Sequence, residues 1–336
     1  MQRRLSDYLL ITLKGMAMGA ADAVPGVSGG TIAFISGIYE ELITTISNVN
    51  LGLFKTLKTS GFSAFWKAFN GNFLVALLLG IIVSFVSFMR LAKYLIEYHP
   101  VLIWSFFFGL IIASIYFVGK QINKWHLPTV LALIIGTVLA FYITTLPSSA
   151  NNESPYFLFI AGAIAICAMI LPGISGSFIL LILGAYKTLS DAFHDFDLQR
   201  IALFAGGALV GLLSFSHVLK WLFKNYHNIT LALLTGFIFG SLNKVWPWKL
   251  TDLVMEKTSG LVTPLSDITT FGNLTIYQQQ ITDFDSFKVI SETSILPNMY
   301  SIQNNGLDPQ LVPAVILMIT GFLTIFILER IGKKVK

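Results

Sequence analysis

Apolar runs long enough to cross a lipid bilayer recur along most of this 336-residue chain. A spanning helix needs roughly 20 predominantly apolar residues, and uninterrupted runs of that kind fall at 72–95, 101–119, 128–146, 200–222, 229–246 and 311–330. Two further runs, 8–46 and 156–190, are as apolar but carry helix breakers in their middles. Pro25-Gly26 with Gly29-Gly30 interrupts the first, and Pro172-Gly173 with Gly176 interrupts the second. Proline removes an amide donor and glycine frees the backbone, so neither run makes a straight helix. Unwound backbone at membrane depth persists only where protein or a wet cavity covers it. Both runs are therefore expected to enter the membrane, turn and return as re-entrant helical hairpins. The fold class that follows is an all-α polytopic membrane protein.

The two hairpins are copies. PGVSGGTIAFISGIYEEL at 25–42 aligns without gaps on PGISGSFILLILGAYKTL at 172–189, with Gly37 on Gly184 and Tyr39 on Tyr186. Further on, SFMRLAKYL (87–95) matches SFSHVLKWL (214–222), and the segments beginning at His99 and His227 resemble each other. The span at 128–146 carries the chain to the opposite face before the second copy starts, so the halves are expected to be inverted repeats. Such folds place a substrate near the midplane, between discontinuous helices. The expected organisation is a first repeat over 1–120, a linking transmembrane helix within 121–155, a second repeat over 156–246, a loop over 247–310, and a final helix with a basic tail over 311–336.

Composition agrees with a bilayer and sets the orientation. Charged residues make up 12% of the chain and the mean hydropathy is +0.75, against about 25% charged in average soluble domains. The net charge of +5 does not mark a nucleic-acid partner, because the basic residues lie between apolar runs rather than in a patch. With both hairpins re-entrant, 14 of the 22 basic residues fall on the side of the N- and C-termini, which the positive-inside rule makes cytoplasmic. Trp125, Trp221, Trp246 and Trp248 sit near span ends, where interfacial aromatics belong. Lys14 interrupts the first run and no small-residue cleavage site follows it, so that segment is expected to be retained. Cys167 stands alone, so no disulfide or thiolate cluster is expected, and no metal or cofactor. The polar stretch 247–310 carries seven acids, lies outside the cytoplasm in this topology, and reads as a cap over the outer mouth, with strand-like pieces such as NLTIYQQQITDF.

The chemistry concentrates at the hairpin tips. Each places proline where a helix can start, then glycines, then hydroxyls: Ser28 and Thr31 in the first, Ser175 and Ser177 in the second. Glycine lets a ligand approach the backbone, and free amides at a helix start attract anions, phosphate above all. Two such tips facing each other would hold a phosphate; the plainer reading is a pair of tight turns that pack together. Asp22, whose repeat counterpart is Met169, is a carboxylate deep in an apolar run. It is expected either to carry a coupling proton or cation or to cap the loop amides. Arg90 lies inside a span and either faces the phosphate or snorkels to the interface. Glu40 and Glu41 align with Lys187 and Thr188 and so break the symmetry, as a gate, a pair between halves or a surface feature.

These residues carry a resemblance. GMAMGAADAVPGVSGGTIAFISGIYEELI and ILPGISGSFILLILGAYKTL resemble the PopT-type polyprenyl-phosphate transporters, over nearly the whole chain through residue 246 and the final span. The resemblance implies translocation of undecaprenyl phosphate across the bacterial cytoplasmic (inner) membrane, for lipid-carrier recycling in cell-envelope synthesis. The partners it implies are that lipid and the surrounding membrane lipids. It carries over Asp22, Pro25, Gly26, Ser28, Gly29, Gly30 and Thr31, with Pro172, Gly173, Ser175, Gly176 and Ser177, as substrate-binding residues, to which Arg90 is added from its position. A small-anion transporter using the same tips is the alternative. Undecaprenyl-diphosphate phosphatases have a similar hairpin motif, but Gly176 stands where theirs has arginine, and no Glu or His neighbours either tip. No catalytic residue is expected.

Overall fold

The structure, a computed structural model, describes residues 3–22, 28–146, 154–256, 261–265, 287–304 and 306–333. The first interrupted run forms α1 (Leu5–Asp22), α2 (Gly29–Ile35) and α3 (Tyr39–Ser47). After α4 (Leu51–Ala68) come the long pair α5 (Gly71–Tyr98) and α6 (Pro100–Gly119), then α7 (Leu127–Thr145). The pattern then recurs as α8 (Pro155–Ile170), α9 (Gly176–Ile182), α10 (Tyr186–His194), α11 (Leu198–Asn225) and α12 (His227–Gly240), which a 3-10 turn (Ser241–Val245) extends. A small sheet of β1 (Lys249–Glu256), β2 (Val262–Pro264) and β3 (Phe287–Ser294), α13 (Pro297–Gln303) and α14 (Leu311–Lys333) complete the described chain.

By length and composition five of the described helices can cross a bilayer: α5, α6, α7, α11, and α12 with its 3-10 extension. The apolar stretches of α8 and α14 are shorter, at Tyr156–Ile170 and Leu311–Phe326. Helix α7 turns Ile134, Ile135, Val138 and Leu139 outward, which in a chain of this composition is a face for lipid.

Corresponding residues of the two halves adopt the same local structure. Gly37 and Gly184 are both in the left-handed region (φ 73° and 70°), and each return arm breaks there into two helices. Ile38 N bonds Ala33 O (3.0 Å), and its counterpart Ala185 N bonds Leu180 O (2.9 Å). The one-residue junctions before α6 and α12 also match, His99 at φ −138°, ψ 49° and Tyr226 at φ −133°, ψ 46°. His99 therefore corresponds to Tyr226 rather than to His227, one residue away from the alignment by histidines.

Packing repeats as well. Helix α1 lies on α5 where Gly15 meets the Leu77 carbonyl and Gly80 the Thr12 carbonyl, and α8 lies on α11 where Gly162 meets Phe204 and Gly207 meets Phe159. Small residues allow such close backbone contact between membrane helices. Helix α6 packs on α14 with Gly109 against Met318, and α12 packs on α7 with Gly236 against Leu133. The final helix thus stands to the first half as α7 stands to the second.

Two parts depart from the sequence expectation. Residues 51–68, left unassigned between the first hairpin and the next span, form α4, which is kinked at Gly61 (φ 79°). It exposes Phe54, Leu57 and Phe62 beside Lys55 and Lys58, the composition of a helix lying along a membrane surface. The 247–310 segment is more than a loop. Strand β1 pairs antiparallel with both neighbours, in the order β2-β1-β3. The strand-like piece at 273–284 lies outside the described residues.

Candidate substrate site at the hairpin tips

The first tip is closed on itself. Helix α1 ends at Asp22, whose Oδ1 accepts from the Gly29 amide (2.6 Å). Ser28 is extended (φ −117°, ψ 129°) and caps α2, its Oγ accepting from the Gly30 amide (3.2 Å). The amides that open α2 therefore have acceptors, as a buried helix start requires. A Cβ at position 29 would collide with the Asp22 carboxylate, which accounts for glycine there.

The second tip differs because Met169 stands where Asp22 stands in the first. No carboxylate reaches α9, and among the described residues the amides of Gly176 and Ser177 have no acceptor from outside their own helix. The Ser175 and Ser177 hydroxyls lie 3.0 Å apart, with Ser177 exposed. Gly173 holds a left-handed backbone (φ 87°) against the Phe237 carbonyl and the Ser241 hydroxyl.

The tips touch. Thr31 Oγ1 accepts from the Gly173 amide (2.9 Å), Tyr39 Oη donates to Ile170 O (3.0 Å), and Ser28 Oγ reaches Met169 O (3.4 Å). Gly30 lets the Met169 and Ile170 carbonyls approach, since a Cβ there would stand 2.9 Å from Ile170 O. Ser28 and Thr31 are 3% and 1% exposed, so both hydroxyls serve the contact between hairpins, whereas Ser175 and Ser177 sit at its accessible edge. Pro172 is buried behind them. Pro25, Gly26 and the Arg90 side chain lie outside the described residues. Glu41 takes a two-bonded contact from Arg3 (2.7 Å each) and another from Asn70 (2.9 Å), while Glu40 meets His227 of the other half at 3.8 Å on the surface.

Sequence reasoning missed a charged cluster beside the second tip. Lys244 Nζ and Lys249 Nζ approach the same oxygen, Glu292 Oε2, at 3.4 and 3.2 Å. Lys244 also lies over the Phe178 ring of α9 (4.9 Å) and Lys249 over the Trp104 ring of α6 (4.4 Å). The strand register explains the meeting: Thr251 pairs with Glu292, and Lys249 shares a strand face with Thr251. Both lysines flank Trp246 and Trp248 at a span end, and nothing in the chain order points to a carboxylate more than 40 residues away. Burial pushes the Glu292 carboxyl up, but the two lysines outweigh it and hold it at about 2. Burial lowers Lys249 to about 8, against the pull of Glu292.

Because Glu292 titrates below its ordinary 4.5 in the folded protein, its pairing stabilises the sheet's attachment at neutral pH. That stabilisation is lost as pH falls from there toward about 2. Glu292→Gln is expected to cost about 1–3 kcal/mol at neutral pH, and the gap from the unsubstituted protein should narrow on acidification. Thermal unfolding of the purified protein across that pH range checks both.

A family model described as VCA0040-like, undecaprenyl phosphate translocase-like, matches residues 18–263. A Vibrio cholerae protein named polyprenyl-phosphate transporter is 46% identical over 265 residues, covering 79% of this chain and 86% of the relative. A Staphylococcus aureus protein of the same name is 35% identical over 261 residues, covering 72% of this chain and 88% of the relative. No solved structure matches. The family match takes in both tips and both lysines and ends before β3 and the final helix, so the resemblance expected for the final span is not part of it.

Proposed function

The chain belongs to the undecaprenyl phosphate translocase-like family, and from that premise we propose that it carries undecaprenyl phosphate across the bacterial cytoplasmic membrane. One observation supports this reading above the others: two interrupted hairpins of matching local geometry meet tip to tip inside a bundle of apolar helices, and one tip keeps its hydroxyls and amides available. We take the halves as inverted, with both termini cytoplasmic and the sheet outside.

In this mechanism the phosphate head group leaves the outer leaflet and is held at Ser175, Gly176 and Ser177. The prenyl chain stays in the bilayer while the halves rearrange around the head group. Hydroxyl and amide donors replace the water that the phosphate loses, which lowers the barrier to crossing. The first tip contributes shape rather than ligands: Asp22 fills the anion position of α2, and Thr31 and Ser28 brace the second tip. The reaction is transport rather than hydrolysis, since the Asp22 carboxylate is tied to Gly29 and belongs to the tip opposite Ser175.

Leaflet exchange of fluorescent undecaprenyl phosphate in proteoliposomes, read by an impermeant head-group reagent, tests the proposal. Exchange without phosphate release is expected, and Ser175→Leu should reduce it at least about tenfold through the loss of a charge-assisted hydrogen bond and the bulk added. Uptake of a soluble anion without lipid exchange would overturn the lipid assignment, and released phosphate would establish an enzyme.

A further inference from the structure

Two ammonium groups share one carboxylate oxygen at the end of the bundle that carries the sheet. The second tip is next to them: Gly173 packs on Ser241, and the Phe178 ring lies under Lys244, so the 3-10 turn touches the tip on both sides of Ser175 in the sequence. We propose that Lys244 captures the phosphomonoester head group on that side and delivers it to Ser175 and Ser177; this rests on the transport reading above.

The two lysines are not equivalent. Lys249 is 8% exposed and committed, its Nζ donating to Lys244 O (2.6 Å) as well as to Glu292. Lys244 is 23% exposed and makes one long contact with Glu292 and one with a ring. An ammonium has three donors, so Lys244 has capacity to spare while Lys249 and Glu292 balance each other's charge. The residues around Lys244 are tied to the sheet: Ser294 Oγ bonds Asn243 Oδ1 (2.9 Å), and Trp246 Nε1 bonds Ile295 O (2.8 Å). A phosphomonoester carries between one and two negative charges near neutral pH, more than the single charge of Glu292. It would therefore draw Lys244 off that carboxylate and leave the Lys249–Glu292 pair intact.

The same phosphate chemistry is offered by a lipid and by the free anion. The lipid is favoured by an open apolar groove of about 320 Å³ between α7 and α12, lined by Val138, Phe141, Phe239 and Leu242 and also by Asn243, the residue before Lys244. It gives the first isoprene units a place outside the bundle while the head group is at the lysine.

The test uses full-length protein, measuring equilibrium binding of a radiolabelled polyprenyl phosphate alongside leaflet exchange and thermal stability. Lys244→Gln should weaken binding about tenfold or more, the loss expected for one charge-assisted hydrogen bond, with little change in melting temperature; Lys244→Arg should restore most of it. Unchanged binding by Lys244→Gln overturns the proposal, as does a parallel fall of binding and melting temperature that arginine does not repair. Displacement of the lipid by an equal concentration of inorganic phosphate would assign the site to the free anion and overturn the lipid assignment. Binding that depends on Lys244 in a protein showing no leaflet exchange would keep the head-group site and remove only the transport reading.

Discussion

Gly173→Val is expected to abolish leaflet exchange and to lower stability by about 3 kcal/mol or more. Two independent costs meet at this position. The backbone is left-handed (φ 87°), which costs a residue with a Cβ roughly 1–2 kcal/mol and a β-branched one more. The new Cβ would also stand 2.7 Å from Phe237 O and 3.0 Å from Ser241 Oγ. The Phe237 carbonyl, held by the Ser241 amide in the last turn of α12, does not move aside readily, so the tip itself must shift and the bond from the Gly173 amide to Thr31 breaks. Gly37→Ala is the matched control. It has the same left-handed backbone (φ 73°) but nothing within 4 Å of a Cβ, so only the first cost applies and exchange should survive. Melting temperature and exchange rate of the two variants, measured side by side, decide whether closeness at the tip or backbone strain matters more.

Asp22→Ala should be nearly as damaging, and Asp22→Asn mild. The Asp22 carboxylate accepts the first amide of α2 at 2.6 Å in a half-buried site. Alanine leaves that amide without an acceptor, which costs about 1–3 kcal/mol and opens an anion position that a phosphate can enter at the wrong tip. Asparagine keeps an oxygen where Oδ1 stands, so the cap and most of the exchange rate should remain. The same variant separates the cap from a coupling role. A pH profile of exchange that matches the unsubstituted protein assigns Asp22 to the cap alone, whereas a flattened profile assigns it a proton as well.

What the amino-acid sequence disclosed depended on how local each cause was. The break in the second hairpin was legible because Pro172 and Gly173 act on their own backbone, and the repeat because Gly37 and Gly184 need the same φ in both copies. The unequal duties of the tips were half legible. Asp22 against Met169 was visible as a broken symmetry, but a cap and a proton carrier have the same letter; the 2.6 Å contact shows the cap, and the pH profile tests the proton. The contacts of the hydroxyls were not legible for a related reason: Thr31 and Ser28 are of the type that binds phosphate, and here they meet partners more than 140 residues away. Helix α4 escaped because Gly52, Gly61 and three lysines blur its apolar face. The Lys244–Glu292 contact escaped because it is set by strand register in a segment with no membrane periodicity.

The bonds from the Gly173 amide to Thr31, from Tyr39 to Ile170 and, longer, from Ser28 to Met169 join the two hairpins at one point. Under the proposed mechanism that point behaves as the axle of a rocker. A tilt about it swings the ends of the helices far while barely stretching the bonds at the centre, and one mouth must shut as the other opens. A slide of one half along the other would break the same bonds at once, so under that mechanism the expected movement is a rotation.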